Sequence, residues 1–167
     1  AALLLALPAW DALLAAGHAA LVVVGGPAGL NRQKAERIQV ALRTLREAFG
    51  AYTLEPLREM GVDGARAWLR QLPGVGDKTA GIVLTFGLEL PYFAVDTHIG
   101  RIARRLGWVK AKQDAHQVMN ALVAPADRGP FHIQLIRHGR TTCQARTPRC
   151  EACPLSDLCP AYLDGRL

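Results

Sequence analysis

The chain has 167 residues, a length that fits one domain or two small ones. Half of the residues are hydrophobic and only 6% are aromatic, so the chain can bury a substantial core, and its many Ala and Leu residues favour helices over sheet. The formal net charge of +6 favours a polyanionic partner, with nucleic acid ahead of an acidic membrane surface.

The first 30 residues are strongly apolar but do not form one continuous apolar helix. Glycines and a proline interrupt residues 12–30, so we expect no transmembrane helix there, and a basic segment of the kind that opens a signal peptide is missing. The sequence begins at Ala1 inside an apolar run. We therefore expect that N-terminal residues are absent from it.

Helical patterns then follow one another along the chain. We predict a short helix over 8–16 and a long helix that Asn31 caps and Gly50 ends. The apolar face of the long helix is formed by residues spaced four, three and four apart. These residues are Ile38, Leu42, Leu45 and Phe49.

The remaining residues continue the helical pattern to about residue 140. Thr53 and Asp63 are predicted to cap two short helices, the second ending at Gln71, and a further helix is predicted over about 76–86. Residues 91–95 are predicted to be extended. Asp96 or Thr97 is predicted to cap the next helix, which ends at Gly107, and two more helices are predicted to follow it. Those two cover about 112–124 and 130–139. With no convincing pair of strands, the predicted fold class is all-α.

The segment LPGVG, residues 72–76, lies between two of these predicted helices. Pro73 fixes its φ angle, and Gly74 and Gly76 permit backbone conformations that are closed to other residues. Such a hairpin can place backbone N–H groups against a phosphate, which is sequence-independent binding of a nucleic-acid backbone. An ordinary turn between two helices is the alternative, because Gly-x-Gly alone is common.

Lys78 and Asp96 are candidate catalytic residues. A lysine in the first turn of a helix is poorly placed as a cation, because the helix end is already partly positive, and a free amine is a nucleophile. A carboxylate such as Asp96, where an extended segment enters a helix, could stabilise a developing positive sugar or help move a proton. An exposed lysine and a plain N-cap are the alternatives. We expect His98 to be packed or solvated rather than catalytic.

Four cysteines with the spacing x6, x2, x5 lie close together near the C-terminus. They are Cys143, Cys150, Cys153 and Cys159. Four thiolates in so short a loop can surround one compact inorganic core. Structural zinc and two disulfides are alternatives, although zinc is usually bound by two paired-cysteine knuckles and only Cys150 and Cys153 form such a pair.

Two stretches without acidic residues carry most of the basic side chains near these motifs. Residues 128–150 contain five arginines, of which Arg146 and Arg149 lie between the first two cysteines, and a shorter stretch contains Arg101, Arg104, Arg105, Lys110 and Lys112. Each stretch could contact phosphates. A solvated basic surface is the alternative.

The hairpin, Lys78, Asp96 and the cysteine loop, in this order, resemble the helix–hairpin–helix DNA glycosylases, and most closely the endonuclease III family. The matching motifs are LPGVGDKTA, AVDTHIGRI and the cysteine spacing, with a weaker match in GLNRQKAERI. The resemblance covers about residues 30–162. It implies a helical-barrel domain, which we place at 1–110 with the hairpin at 72–76, and C-terminal helices with a 4Fe–4S cluster domain at 111–167.

The resemblance also implies functional roles for these residues. Lys78 would be the Schiff-base nucleophile, Asp96 its catalytic carboxylate, and the four cysteines the ligands of a 4Fe–4S cluster. Residues expected to contact DNA are Leu72, Pro73, Gly74, Val75, Gly76, Thr79, Arg140, Arg146 and Arg149. The adenine-specific branch carries serine at the position of Lys78, so a lysine favours a bifunctional enzyme.

The implied function is excision of oxidised pyrimidines and cleavage of the strand at the resulting abasic site. The expected partner is double-stranded DNA with a damaged base or an abasic site, bound by a monomer in the cytoplasm, at the nucleoid, without a membrane. Relatives carry a further N-terminal helical segment, which supplies part of the cluster domain and a polar residue that fills the gap left by the flipped base. A non-catalytic DNA-binding module and a monofunctional glycosylase are the alternatives.

Overall fold

The computed structural model describes residues 10–15 and 32–167, and every regular element within these ranges is helical. This confirms the all-α prediction. The predictions for residues 1–9 and 16–31, including the cap at Asn31, lie outside the described residues. The α-helices are α1 Trp10–Ala15, α2 Arg32–Phe49, α3 Pro56–Glu59, α4 Gly61–Leu69, α5 Asp77–Ile82, α6 Thr97–Arg105, α7 Ala115–Leu122, α8 Arg128–Thr141 and α9 Pro160–Leu163.

The chain forms two compact units, residues 1–75 and 76–167. This division falls inside the LPGVG segment, whereas a boundary at residue 110 between a helical domain and a cluster domain stays a prediction. No helix in the described ranges combines the length and the apolar character needed to cross a membrane.

In the first unit, α2 buries the side that its sequence pattern predicts. Leu42 and Leu45 are buried, and the ring of Phe49 lies 5.1 Å from that of Trp68 in α4. The amide of Gln39 is also buried and donates from Nε2 to the Leu13 carbonyl of α1, at 3.1 Å. A buried amide is stable there because it is hydrogen-bonded. Gly50 ends α2 with a φ of 69°, as predicted.

The two predicted caps in this unit need correction. Met60, at the end of α3, is the N-cap of α4, so Asp63 lies inside the first turn instead of capping it. The hydroxyl of Thr53 accepts the N–H of Glu55 at 3.2 Å and closes a turn just before α3 begins. A helix that starts directly after another leaves no room for a separate capping residue, and α4 ends at Leu69 rather than at Gln71.

The second unit is built around one apolar cluster. Its buried residues come from α6, α7, α8 and the segment before α6, and include Phe93, Ile99, Ile102, Met119 and Leu135. The predicted helix over 76–86 is α5 followed by a π-helical segment, Val83–Gly87, which ends with Leu88 N–H donating to the Val83 carbonyl at 2.8 Å.

Gly81 of α5 is required where the helix approaches the segment before α6. A Cβ at this position would lie 2.7 Å from Tyr92 Cε1, 2.8 Å from Ala94 Cβ and 3.1 Å from Ala94 Cα. Because one of these atoms belongs to the backbone, a larger residue could not be accommodated by turning a side chain alone. Glycine thus brings α5, which carries Lys78, against the residues that lead to Asp96.

Candidate functional site

Residues 91–95 are extended, as predicted, but no neighbouring strand completes their hydrogen bonds in the described chain. For Phe93, the side chain of Asn120 in α7 makes these hydrogen bonds instead. Its Oδ1 accepts the Phe93 N–H at 2.8 Å, and its Nδ2 donates to the Phe93 carbonyl at 3.0 Å. One side-chain amide thus replaces the pair of bonds that a strand would supply to a buried residue.

Three more side chains bind the carbonyl groups on either side of Phe93. Thr85 Oγ1 donates to the Tyr92 carbonyl at 2.6 Å, and Arg128 of α8 donates to the Pro91 carbonyl. His132 of α8 is buried, and its Nδ1 lies 2.9 Å from the Ala94 carbonyl oxygen, so Nδ1 carries the proton. Side chains of α7, α8 and the π-helical segment therefore fix the residues that lead to Asp96.

Asp96 is the N-cap of α6. Its Oδ1 accepts the N–H of Ile99 at 2.8 Å, which confirms the predicted cap. Within the described residues no partner binds its Oδ2, so the second oxygen can interact with a ligand. The carboxylate is half-buried and is fixed both by the cap and by the segment behind it.

Lys78 and Asp96 line the same open cavity of about 440 Å³ in the second unit. Lys78 is exposed in the first turn of α5 and forms no ion pair with the described residues. The side chains that share the cavity are mostly polar, and they include Arg104, Gln113, Asp114 and His116. The site thus places an amine and a carboxylate in one water-accessible space.

The predicted hairpin contains a tight turn at Gly74. The Val75 N–H donates to the Leu72 carbonyl at 3.0 Å, and Gly74 has a φ of 81°, which favours glycine. A Cβ at Gly74 would lie 2.6 Å from Arg37 Cδ and 2.8 Å from its Nε. The Arg37 side chain of α2 therefore covers this turn, a cation beside the hairpin that the sequence pattern did not reveal.

The four cysteines form no disulfide and line one apolar cavity, together with Thr142, Pro148, Arg149, Ser156, Tyr162 and Leu167. Partial burial raises the pKa of Cys150, and so do the other three cysteines, whereas Arg105 lowers it. This mutual influence reflects how close the thiols are. No three His, Cys, Asp or Glu side chains within residues 10–15 and 32–167 are grouped tightly enough to hold one metal ion.

Two arginines of α6 attach the cysteine loop to the rest of the second unit. Arg101 donates to the Cys143 carbonyl from Nη2 at 2.7 Å and to the Gly139 carbonyl at 2.9 Å, and its Nη2 lies 3.1 Å from His98 Nδ1. Arg105 donates to the Gln144 carbonyl at 2.7 Å and to the Ala145 carbonyl at 3.0 Å. These two guanidinium groups bind the loop backbone and are therefore not available to bind phosphates. Arg128 is likewise occupied, because it binds the segment before Asp96.

Two known protein families together match most of the chain. Residues 3–127 match the HhH-GPD superfamily base excision DNA repair protein family, and residues 143–159 match the iron-sulfur binding domain of endonuclease III. The chain belongs to the HhH-GPD superfamily. The second match confirms the expected iron–sulfur cofactor.

Relatives of this HhH-GPD protein carry the name endonuclease III. It is 40% identical to endonuclease III of Thermotoga maritima over 136 residues, which make up 80% of this chain and 60% of that protein. It is 42% identical to endonuclease III of Escherichia coli strain K12 over 134 residues, 78% of this chain and 59% of that protein. The chain thus spans about 60% of the length of these curated relatives.

Solved structures share the fold of this HhH-GPD chain. A non-covalent endonuclease III–DNA complex matches with a TM-score of 0.76 at 28% identity, over 93% of this chain and 70% of that chain. A trapped endonuclease III–DNA covalent intermediate matches equally well. A thermostable thymine-DNA glycosylase, with a TM-score of 0.80 at 22% identity, supports the fold alone.

The cysteine cavity of this HhH-GPD protein suits a 4Fe–4S cluster by the chemistry of its donors. Its lining includes four thiols and no carboxylate or imidazole, and thiolates are the ligands that iron–sulfur clusters take. We propose Cys143, Cys150, Cys153 and Cys159 as the ligands. Next to this set, burial lowers the pKa of His138, whose Nε2 lies 3.8 Å from Cys153 Sγ.

The structure separates the predicted site residues into distinct places. Lys78 and Asp96 share one cavity, whereas Arg149 lines the cysteine cavity. Arg140 in α8 and Arg146 in the cysteine loop are exposed, and so is Thr79 beside Lys78. The sequence did not reveal the contacts of Asn120, and it indicated phosphate contacts for Arg101 and Arg105, which instead bind backbone carbonyls of the cysteine loop.

We predict that Asn120→Asp destabilises the protein by about 1–3 kcal/mol, because it replaces the donor to the Phe93 carbonyl with a second acceptor beside that oxygen. Gln117→Glu is the matched control, since it makes the same chemical change at an exposed position of α7. Urea unfolding of both variants measures the difference. Equal unfolding midpoints for the two variants would contradict this role of Asn120.

Proposed function

We propose that this chain is a bifunctional DNA glycosylase and abasic-site lyase of base excision repair, which acts on oxidised pyrimidines in double-stranded DNA. The observation that carries the proposal is the cavity shared by Lys78 and Asp96. The family, and the name endonuclease III of its relatives, support it. In the cell the protein would act as a monomer in the cytoplasm, at the nucleoid.

Each group in the cavity has a chemical task in this reaction. The target base must leave the stack before its glycosidic bond can be reached. The Asp96 carboxylate stabilises positive charge on the sugar as that bond breaks. The Lys78 amine attacks C1′, and the base departs with the bonding electrons and takes up a proton from the nitrogen. The bond from C1′ to the ring oxygen O4′ then breaks, O4′ takes up the second proton of the amine, and the nitrogen and C1′ form an imine.

The imine accounts for the second activity, cleavage of the strand. It makes the proton on C2′ acidic, and a base in the site removes that proton. The electrons of the C2′–H bond form a double bond to C3′ while the bond from C3′ to its phosphate oxygen breaks. This route needs an amine that can form an imine with C1′, which is why Lys78 favours a glycosylase that is also a lyase.

DNA binding would use the hairpin and exposed basic residues. The turn at Gly74, with Arg37 against it, offers backbone N–H groups and a guanidinium to phosphates. The proposed contacts are Leu72, Pro73, Gly74, Val75, Gly76, Thr79, Arg140, Arg146 and Arg149. Contacts of this kind bind DNA without reading its sequence and weaken as salt is added.

We expect Lys78→Ala to abolish the covalent adduct that borohydride forms between the protein and a duplex with one abasic site, because the imine nitrogen is lost. Lys112→Ala, at an exposed lysine outside the Lys78 cavity, is the control and should trap as well as the unaltered chain. The yield is measured on a denaturing gel. Undiminished trapping by Lys78→Ala would remove the basis of the proposal.

We expect Asp96→Asn to slow base excision about 100-fold or more while leaving the thermal unfolding midpoint nearly unchanged. Asparagine caps helices as well as aspartate does, so this variant keeps the bond to Ile99 and loses only the charge. Asp96→Ala, which also loses the cap, should cost about 1 kcal/mol of stability. Wild-type excision of an oxidised pyrimidine by Asp96→Asn would show that the charge is not used.

A further inference from the structure

Arg105 makes a contact with the cysteine set that differs from those of Arg101. Its Nη1 donates to Cys143 Sγ at 3.2 Å, so the guanidinium binds a sulfur atom and not only the loop backbone. Arg105 is half-buried at the last position of α6, and its own carbonyl oxygen lies 3.5 Å from Cys159 Sγ. It therefore contacts the first and the last cysteine of the set.

The position of this guanidinium is fixed by its other bonds. The same Nη1 binds the Gln144 carbonyl and Nη2 binds the Ala145 carbonyl, the two residues that follow Cys143. A planar guanidinium held at three acceptors keeps its charge in one place, which a flexible ammonium group would not do. The charge near Cys143 is thus part of the fold.

A fixed cation and an N–H donor at a ligand sulfur have a defined effect on an iron–sulfur cluster. Reduction adds one electron to a core that four thiolates already make negative, so nearby positive charge stabilises the reduced form more than the oxidised form. Hydrogen bonds to the sulfur atoms and the net charge around the cluster are among the factors that set its reduction potential.

We propose that Arg105 tunes the 4Fe–4S cluster: its bond to Cys143 Sγ and its fixed charge raise the reduction potential of the cluster. Arg101 provides the contrast on the same helix, because it binds the Cys143 carbonyl and not the sulfur. Arg149 lines the cysteine cavity, but its side chain is exposed, where solvent weakens its field. The proposal concerns the cofactor and stands whether or not the chain cleaves DNA.

The test is the midpoint potential of the cluster in the full chain loaded with iron and sulfide. The cluster is titrated with dithionite in the presence of redox mediators and followed by its visible absorption and by electron paramagnetic resonance of the reduced form. In Arg105→Gln, at the wild-type midpoint potential, the ratio of reduced to oxidised cluster should fall about tenfold, which corresponds to about 59 mV for one electron.

Two further variants separate a tuning role from a structural one. Arg137→Gln removes the same charge from an exposed position of α8 and should leave the midpoint unchanged. Arg105→Lys keeps a charge without the guanidinium fork, so its midpoint should fall between those of wild type and Arg105→Gln. If Arg105→Gln does not retain the cluster, the midpoint of Arg105→Lys alone decides, and a lowered value is expected.

The proposal is overturned if Arg105→Gln retains the cluster and its midpoint potential is unchanged. If Arg105→Gln does not retain the cluster, an unchanged midpoint potential in Arg105→Lys overturns the proposal. It is also overturned if Arg137→Gln lowers the midpoint as much as Arg105→Gln does. A purely structural role for Arg105 would reduce the amount of cluster per chain without moving the potential of the cluster that remains, and that result would count against tuning.

Discussion

The arrangement of the site depends on how residues 91–95 satisfy their backbone hydrogen bonds. An extended, buried segment in an all-helical unit has no strand beside it, and each unpaired buried N–H or C=O group would cost about 1–3 kcal/mol. Side chains from the surrounding helices remove that cost, above all Asn120, which binds both polar groups of Phe93. The segment is thereby held in one position, and Asp96 with it.

Helix α6 connects the cavity lined by Lys78 and Asp96 to the cysteine loop within the second unit. Its N-terminus is capped by Asp96, and near its C-terminus Arg101 and Arg105 hold the cysteine loop. A helix of this length extends over about 13 Å, so a single short element carries the carboxylate at one end and the attachment of the loop at the other. The same helix therefore fixes the position of Asp96 relative to the cysteine loop.

The features that sequence predicted well are those that depend on local pattern. The apolar spacing along α2, the cap at Asp96 and the glycine ends at Gly50 and Gly107 follow from rules that act over a few residues. Asp63 was wrongly predicted as a cap because α3 leads directly into α4, and nothing in the local pattern distinguishes a capping aspartate from one in the first turn.

The features that sequence did not predict depend on residues that are far apart in the chain. Arg101 and Arg105 looked like phosphate ligands because they lie in a basic stretch, yet their acceptors are carbonyl groups about forty positions away. Asn120 binds a residue 27 positions earlier, and an asparagine in a helix carries no signal of such a bond. The motif residues Lys78 and Asp96 could be singled out, but the cavity they share follows only from the packing around Gly81 and Phe93.

The central claim is that Lys78 is the amine that attacks the sugar. The most direct measurement is to trap the complex of the protein with abasic-site DNA by borohydride, digest it and locate the modified residue by mass spectrometry. The account predicts that the adduct lies on the peptide that contains Lys78. An adduct on another lysine, or on the N-terminal amine, would contradict it.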